Sequence, residues 1–209
     1  MRKTTLAALL IAAVLVGSGC GSGSSSTGTP AASSSAPAGS AVAPEGGAAL
    51  AADAKSAATG DIPDTQNFLT LNAPHLGVSM LYPEGWSVQE RPSSVSIADK
   101  NNLVRISISR GPVPTAASVQ AQLAQLGRST SGLKASSARA ISVKSGRAVK
   151  ATYTTRSAPN PVTGKRVTLT VDRYELAHGG RVAIVDLGTP VGVDNVDAYK
   201  RMIESFMWR

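Results

Sequence analysis

One cysteine, two histidines and a thin scatter of carboxylates are the residues of this 209-residue chain whose types could do chemistry. A lone cysteine, Cys20, leaves no partner for an intrachain disulfide. His75 and His178 stand over a hundred residues apart with no cysteine near either. A zinc centre needs three or four such ligands converging, so both histidines read as solvent-facing loop residues and no metal is expected. No serine sits in a G-x-S-x-G elbow, the sharp turn that exposes a hydrolase nucleophile. Glu84 falls in a turn and Glu90 at a strand edge, which gives no facing carboxylate pair for glycoside cleavage. Asp186 is the acid to watch. Its neighbours in phase, Val182 and Ile184, are apolar, and a carboxylate in such company is more often bound to an arginine than catalytic. No glycine-rich phosphate loop follows a strand, since Gly179-Gly180 reads as a hairpin turn. The chain is therefore expected to be no enzyme, with no catalytic residue and no cofactor.

Charge points elsewhere. The net charge is +8, and residues 67–209 hold 18 Lys and Arg against 9 Asp and Glu. Between Arg128 and Arg181 there are eleven basic residues and only Asp172 and Glu175 to oppose them. Such a stretch is either a solvated basic surface or an attraction for anionic head groups and cell-wall polymers. Arg147, Lys150, Lys165, Arg166 and Arg173 are the candidate contacts for an anionic surface. Nucleic acid, the third partner that basic charge suggests, is excluded by the expected export of the chain.

Export is read from the N-terminus. Arg2 and Lys3 precede an uninterrupted apolar run, Leu6 to Val16, which ends in Gly17-Ser18-Gly19-Cys20. Eleven apolar residues fall well short of the roughly 20 that span a bilayer, so this is the shape of a secretory signal peptide. Small residues before a cysteine resemble the bacterial lipobox, with Gly17 where Leu or Val is usual. The resemblance implies cleavage after residue 19 and acylation of Cys20, and hence an extracytoplasmic protein anchored to a bacterial membrane. The alternative is plain secretion, with Cys20 left as a reactive exposed thiol.

Of the 40 residues Gly21 to Gly60, 32 are Ala, Ser, Gly or Pro. A segment with so little to bury cannot offset its ordering entropy and reads as a flexible tether over residues 20–61. As a coil it would span roughly 35 Å root-mean-square.

All eight aromatic residues lie beyond the tether. They supply a core for one domain over 62–209, a size that folds without disulfides. Leu76 to Tyr82 reads as a strand, Pro83-Glu84-Gly85 as a turn, and Trp86 to Val88 as the partner strand returning. Val95 and Ile97, then Val104, Ile106 and Ile108, alternate with polar residues at the period of a sheet with one wet face. Thr115 caps a helix whose inner face is Ala116, Val119, Leu123 and Leu126, ended by Gly127. Ile141 and Val143, a turn at Ser145-Gly146, and then Val149, Ala151 and Tyr153 form a hairpin. Val167, Leu169 and Val171 share a face, yet the apolar phase shifts to Tyr174 and Leu176, which suggests a β-bulge near Asp172-Arg173. His178-Gly179-Gly180 turns into the last long strand. Asp194 caps a closing helix with the stripe Val196, Tyr199, Ile203 and Phe206. The order predicts an α+β fold, an antiparallel sheet of about six to eight strands with a four-strand meander, flanked by two main helices.

Val78-Ser-Met-Leu-Tyr-Pro-Glu-Gly-Trp86, the hairpin glycine in Ser145-Gly-Arg-Ala148 leading to Tyr153, and the terminal Ser205-Phe-Met-Trp208 resemble the PsbP-like fold. Many bacterial envelope lipoproteins, among them the mycobacterial LpqN/LpqT group, share it. The resemblance implies a sandwich domain with a binding, scaffolding or assembly role and no common catalytic apparatus, and it carries over no functional residues. Two functions are thus expected to compete. In one, the domain binds or scaffolds an envelope protein. In the other, it carries a lipid, glycolipid or other apolar or anionic envelope molecule in a pocket between sheet and helix, rimmed by Arg147, Lys150 and Arg173.

Overall fold

A computed structural model describes residues 59–160 and 164–209. The expected signal peptide, Cys20 and nearly all of the expected tether lie outside the described residues. From Phe68 the alternating segments become strands: β1 (Phe68–Ala73), β2 (Val78–Pro83), β3 (Ser87–Arg91), β4 (Ser94–Asp99) and β5 (Asn102–Arg110). Helix α1 (Ala116–Ser129) follows. Then come β6 (Lys134–Ala135), β7 (Arg139–Val143), β8 (Gly146–Arg156), β9 (Thr168–His178) and β10 (Arg181–Pro190). The chain closes with α2 (Val196–Ser205) and β11 (Met207–Trp208).

Every pairing is antiparallel, as tight turns demand. Eight strands form one sheet in the order β3-β4-β5-β10-β9-β8-β6, with β7 also on β8, and β7 to β10 make the expected meander. The expected single sheet is accompanied by a second one, β1-β2-β11. The Pro83-Glu84-Gly85 turn is accordingly no hairpin: β3 pairs with β4, and the turn carries the chain from the small sheet to the large one. Gly85 takes φ +88° to make that corner, with Trp86 N–H bonding back to Pro83 C=O at 3.3 Å.

No bulge interrupts β9. Its register against both β8 and β10 is continuous from one end to the other. The phase shift has a different cause: both faces of β9 are buried. Leu169 and Val171 pack with Val119 and Leu123 of α1, whereas Tyr174 and Leu176 face Tyr199, Met202, Ile203 and Phe206 across the main core. A strand covered on both sides loses its strict alternation.

The helices bear out the caps unevenly. Thr115 accepts from Ser118 N–H at 3.1 Å, and Ser118 Oγ accepts from Thr115 N–H in return, a complete capping box. The helix runs through Gly127 to Ser129 rather than stopping there. In α2 the cap position is Asn195, with Asp194 Oδ1 accepting from Val196 N–H at 3.2 Å. The inward stripe is Tyr199, Met202 and Ile203 with Phe206 beyond, while Val196 is 71% exposed. Asn195 does not cap because its side chain holds the start of the domain. Its Oδ1 accepts from Ile62 N–H at 2.8 Å, and its Nδ2 donates to Gly60 C=O at 3.1 Å and to Thr189 at 2.8 Å.

A candidate ligand cleft between sheet and closing helix

The residues that sequence reasoning singled out fall into three places. On the α1 face of the large sheet, Asp186 is buried, and its two oxygens accept from Arg173 Nε at 2.8 Å and Nη2 at 3.0 Å. Arg105 Nη2 adds a third bond at 3.0 Å from the solvent side. The expected acid–arginine pair is thus present. Its partner corrects another expectation: Arg173 is buried, with its guanidinium 5.4 Å from the Tyr153 ring centroid, and offers nothing to an anionic surface. Burial works against the Arg173 charge, but the bonds and field of Asp186 outweigh it and raise the pKa. Glu175, two residues along the same face, is also buried. Gln122 of α1 donates to its Oε2 at 3.4 Å, while Oε1 has no partner. Burial pushes the Glu175 pKa up, and Arg173 and Gln122 offset this only in part. Nothing in the periodicity distinguished Glu175 from an exposed strand carboxylate.

On the outer surface, Arg147, Lys165 and Arg166 are exposed, and Arg166 donates to Ser157 C=O at 2.8 Å across its own loop. His75 is also exposed, 3.4 Å from Glu90, and His178 stacks on Trp208 with ring centroids 5.8 Å apart. Among the described residues no three His, Cys, Asp or Glu converge as a metal site would require.

Lys150 stands apart, because it lies in a cleft. The cleft has a volume of about 730 Å³ and opens between α2 and the face of β7 to β10 opposite α1. Its walls are mostly apolar: Ile141 and Val143 of β7, Leu187 of β10, Val193, and Val196, Tyr199 and Ile203 of α2. Tyr199 is fixed by donating its hydroxyl to Gly188 C=O at 2.6 Å, and burial pushes its pKa up. Pro190, Gly192 and Asn195 also line it, and Asn195 is the residue bonded to Gly60 and Ile62. The exposed Val196, off the core stripe, belongs to this wall.

Polar and charged side chains make up about half of the lining residues. On its sheet side Lys150 Nζ meets Asp172 Oδ2 at 2.7 Å, and Thr152 Oγ1 donates to Asp172 Oδ1 at 2.6 Å. The same ammonium lies 5.1 Å from the Tyr174 ring centroid. Burial would lower the Lys150 pKa, but Asp172 and Tyr174 together raise it, so the amine stays charged at neutral pH. Arg139, Lys144, Lys200 and Glu204 complete the charged lining. Of the rim expected from sequence, only Lys150 is in place. Arg147 is on the outside of the hairpin, with its strand neighbour Ala148 turned inward, and Arg173 faces α1.

No family model matches the chain, and no curated protein matches it. Solved structures do. The solution structure of the cyanobacterial PsbP protein CyanoP from Synechocystis superposes with a TM-score of 0.51 at 17% identity, over 72% of this chain and 98% of that one. The fold is PsbP-like. The Ran-binding protein Mog1p of Saccharomyces cerevisiae aligns less closely, at TM-score 0.47 and 8% identity, over 68% of this chain and 95% of that one. At 17% identity the likeness to CyanoP speaks for the architecture alone.

Proposed function

We propose that this PsbP-like domain is a binding domain rather than an enzyme, and that it carries an apolar or amphiphilic envelope molecule in the cleft under α2. It does so outside the cytoplasmic membrane, tethered through an acylated Cys20. The observation that carries the reading is the cleft itself: a groove of ligand size that pairs an apolar wall with charged side chains from the sheet and from α2. A scaffold that bound proteins through its outer surface would have no use for a gap in the packing between sheet and helix. Filling that gap with chain atoms would have stabilised the fold, at about 0.8 kcal/mol per buried methylene.

The tether and anchor suit a carrier. On this reading the low-complexity tether expected from the sequence would give the head a reach of roughly 35 Å from the membrane, and acylation would keep its local concentration high. Substrate release and capture at the membrane surface then need no diffusion through the bulk.

Native mass spectrometry of the full chain, purified from its source in a mild non-lipid detergent, tests this. The expected spectrum shows an added mass that disappears on extraction with organic solvent. A spectrum of protein and its covalent modification alone, unchanged by extraction or by added amphiphile, would refute the carrier reading.

A further inference from the structure

We infer that the cleft selects a ligand with an oxyanion head, carboxylate or phosphodiester, and that Lys150 with Arg139 reads that head while the apolar body lies along β7 under α2. This rests on the reading of the cleft as a ligand site.

Lys150 and Arg139 are directly opposed across β8 and β7. Opposed residues in an antiparallel pair have Cβ atoms ~5 Å apart, and like charges there repel. Asp172 neutralises one of the two cations through its 2.7 Å contact with Lys150. Arg139 makes no ion pair among the described residues and is left uncompensated. An anionic group between the two would offset that excess, and Lys200, another cation of the lining, adds to it. The Lys150 side chain is only 22% exposed and its ammonium is held by Asp172 and Tyr174, so it is already oriented. A lysine has three N–H donors, and its ion pair uses one.

The other end of β7 is different. Lys144 and Glu204 both border the cleft there and offset each other in sign. From Arg139 to Val143 the strand advances roughly 14 Å, with Ile141 between and Lys144 just beyond. An anionic head at the Arg139–Lys150 end and an apolar body along Ile141 and Val143 match that polarity. The reverse orientation would place the anion beside Glu204.

The test is a set of calorimetric titrations of the full chain with dodecanoate, methyl dodecanoate, a twelve-carbon lysophosphatidylglycerol and dodecyltrimethylammonium, each below its micellar concentration. Both anions are expected to bind roughly tenfold or more tighter than the neutral ester, the worth of one charged hydrogen bond, and the cation weakest. The tighter anion assigns the head as carboxylate or phosphodiester. Lys150→Gln should bring acid and ester to within about threefold of each other by weakening the acid alone, and Asp172→Asn should strengthen the acid alone. Equal affinity for acid and ester in the native chain, or an equal loss for both in Lys150→Gln, would overturn the inference while leaving a carrier of apolar molecules standing. Binding of none of the four would overturn the carrier reading and this inference with it.

Discussion

Arg173 and Asp186 face each other across β9 and β10 and share two hydrogen bonds, 2.8 and 3.0 Å long, with almost no access to water. Desolvating the two ions is costly, and the geometry recovers that cost only while both are present. Asp186→Asn is therefore expected to lower stability by about 3–5 kcal/mol in urea unfolding, by leaving a buried guanidinium without its counter-charge. Adding Arg173→Met should restore a large part of the loss. A single variant within about 1 kcal/mol of the native chain would show that the pair is solvated after all.

Glu175 gives a pH-dependent prediction. Its folded-state pKa is raised above the ordinary 4.5 by burial, so the folded chain holds that proton more tightly than the unfolded one. The resulting stability is full below about pH 4.5 and is lost as pH climbs through the raised value. Glu175→Gln removes that dependence. The stability of the variant relative to the native chain should increase from about pH 4.5 upward, measured by unfolding across pH 4–8. A difference independent of pH would contradict the burial argument.

Asn195 ties the start of the domain to the lining of the cleft. Asn195→Ala removes its bonds to Ile62 N–H, Gly60 C=O and Thr189, and leaves a buried amide unsatisfied, at a cost of about 1–3 kcal/mol. Hydrogen exchange at the Ile62 amide should accelerate well beyond that of β9. Unchanged protection at Ile62 would mean that other contacts hold the segment.

How much of this was legible beforehand depended on what each residue type reveals. Strand periods, the Thr115 cap, the Gly179-Gly180 turn with φ of +56° and +74°, and the Asp186 pairing all follow from local chemistry. What failed needed the third dimension. Arg173 looks like any basic strand residue until β10 places Asp186 beside it. The corner at Gly85 looks like a hairpin until β3 chooses β4 over β2. The shift at Asp172-Arg173 mimics a bulge because two cores, one on each face of β9, write two patterns into one strand. The cleft was visible only as a supposition, since a gap between sheet and helix leaves no mark on the sequence, and Arg139 and Lys200 were not singled out for it.

The anchor is tested at Cys20. Cys20→Ser is expected to abolish metabolic labelling with an alkyne fatty acid and to move the chain from the membrane fraction to the medium. Retention of both label and membrane association would rule out acylation at this position.

Exposed basic residues, Arg147 and Arg166 among them, predict that the chain with Cys20→Ser sediments with anionic vesicles at low salt and is released at about 0.5 M, where the screening length falls below 5 Å. No attachment at low ionic strength would identify these residues as a solvated surface.

The carrier reading stands or falls on where a ligand goes. A titration of the methyl-labelled chain with dodecanoate, followed by NMR, reports this residue by residue. Saturable shifts at Ile141, Val143, Leu187, Val196 and Ile203, with Val119 and Leu123 under α1 unmoved, are the predicted result. Shifts confined to the α1 side, or no saturable shift at all, would contradict it.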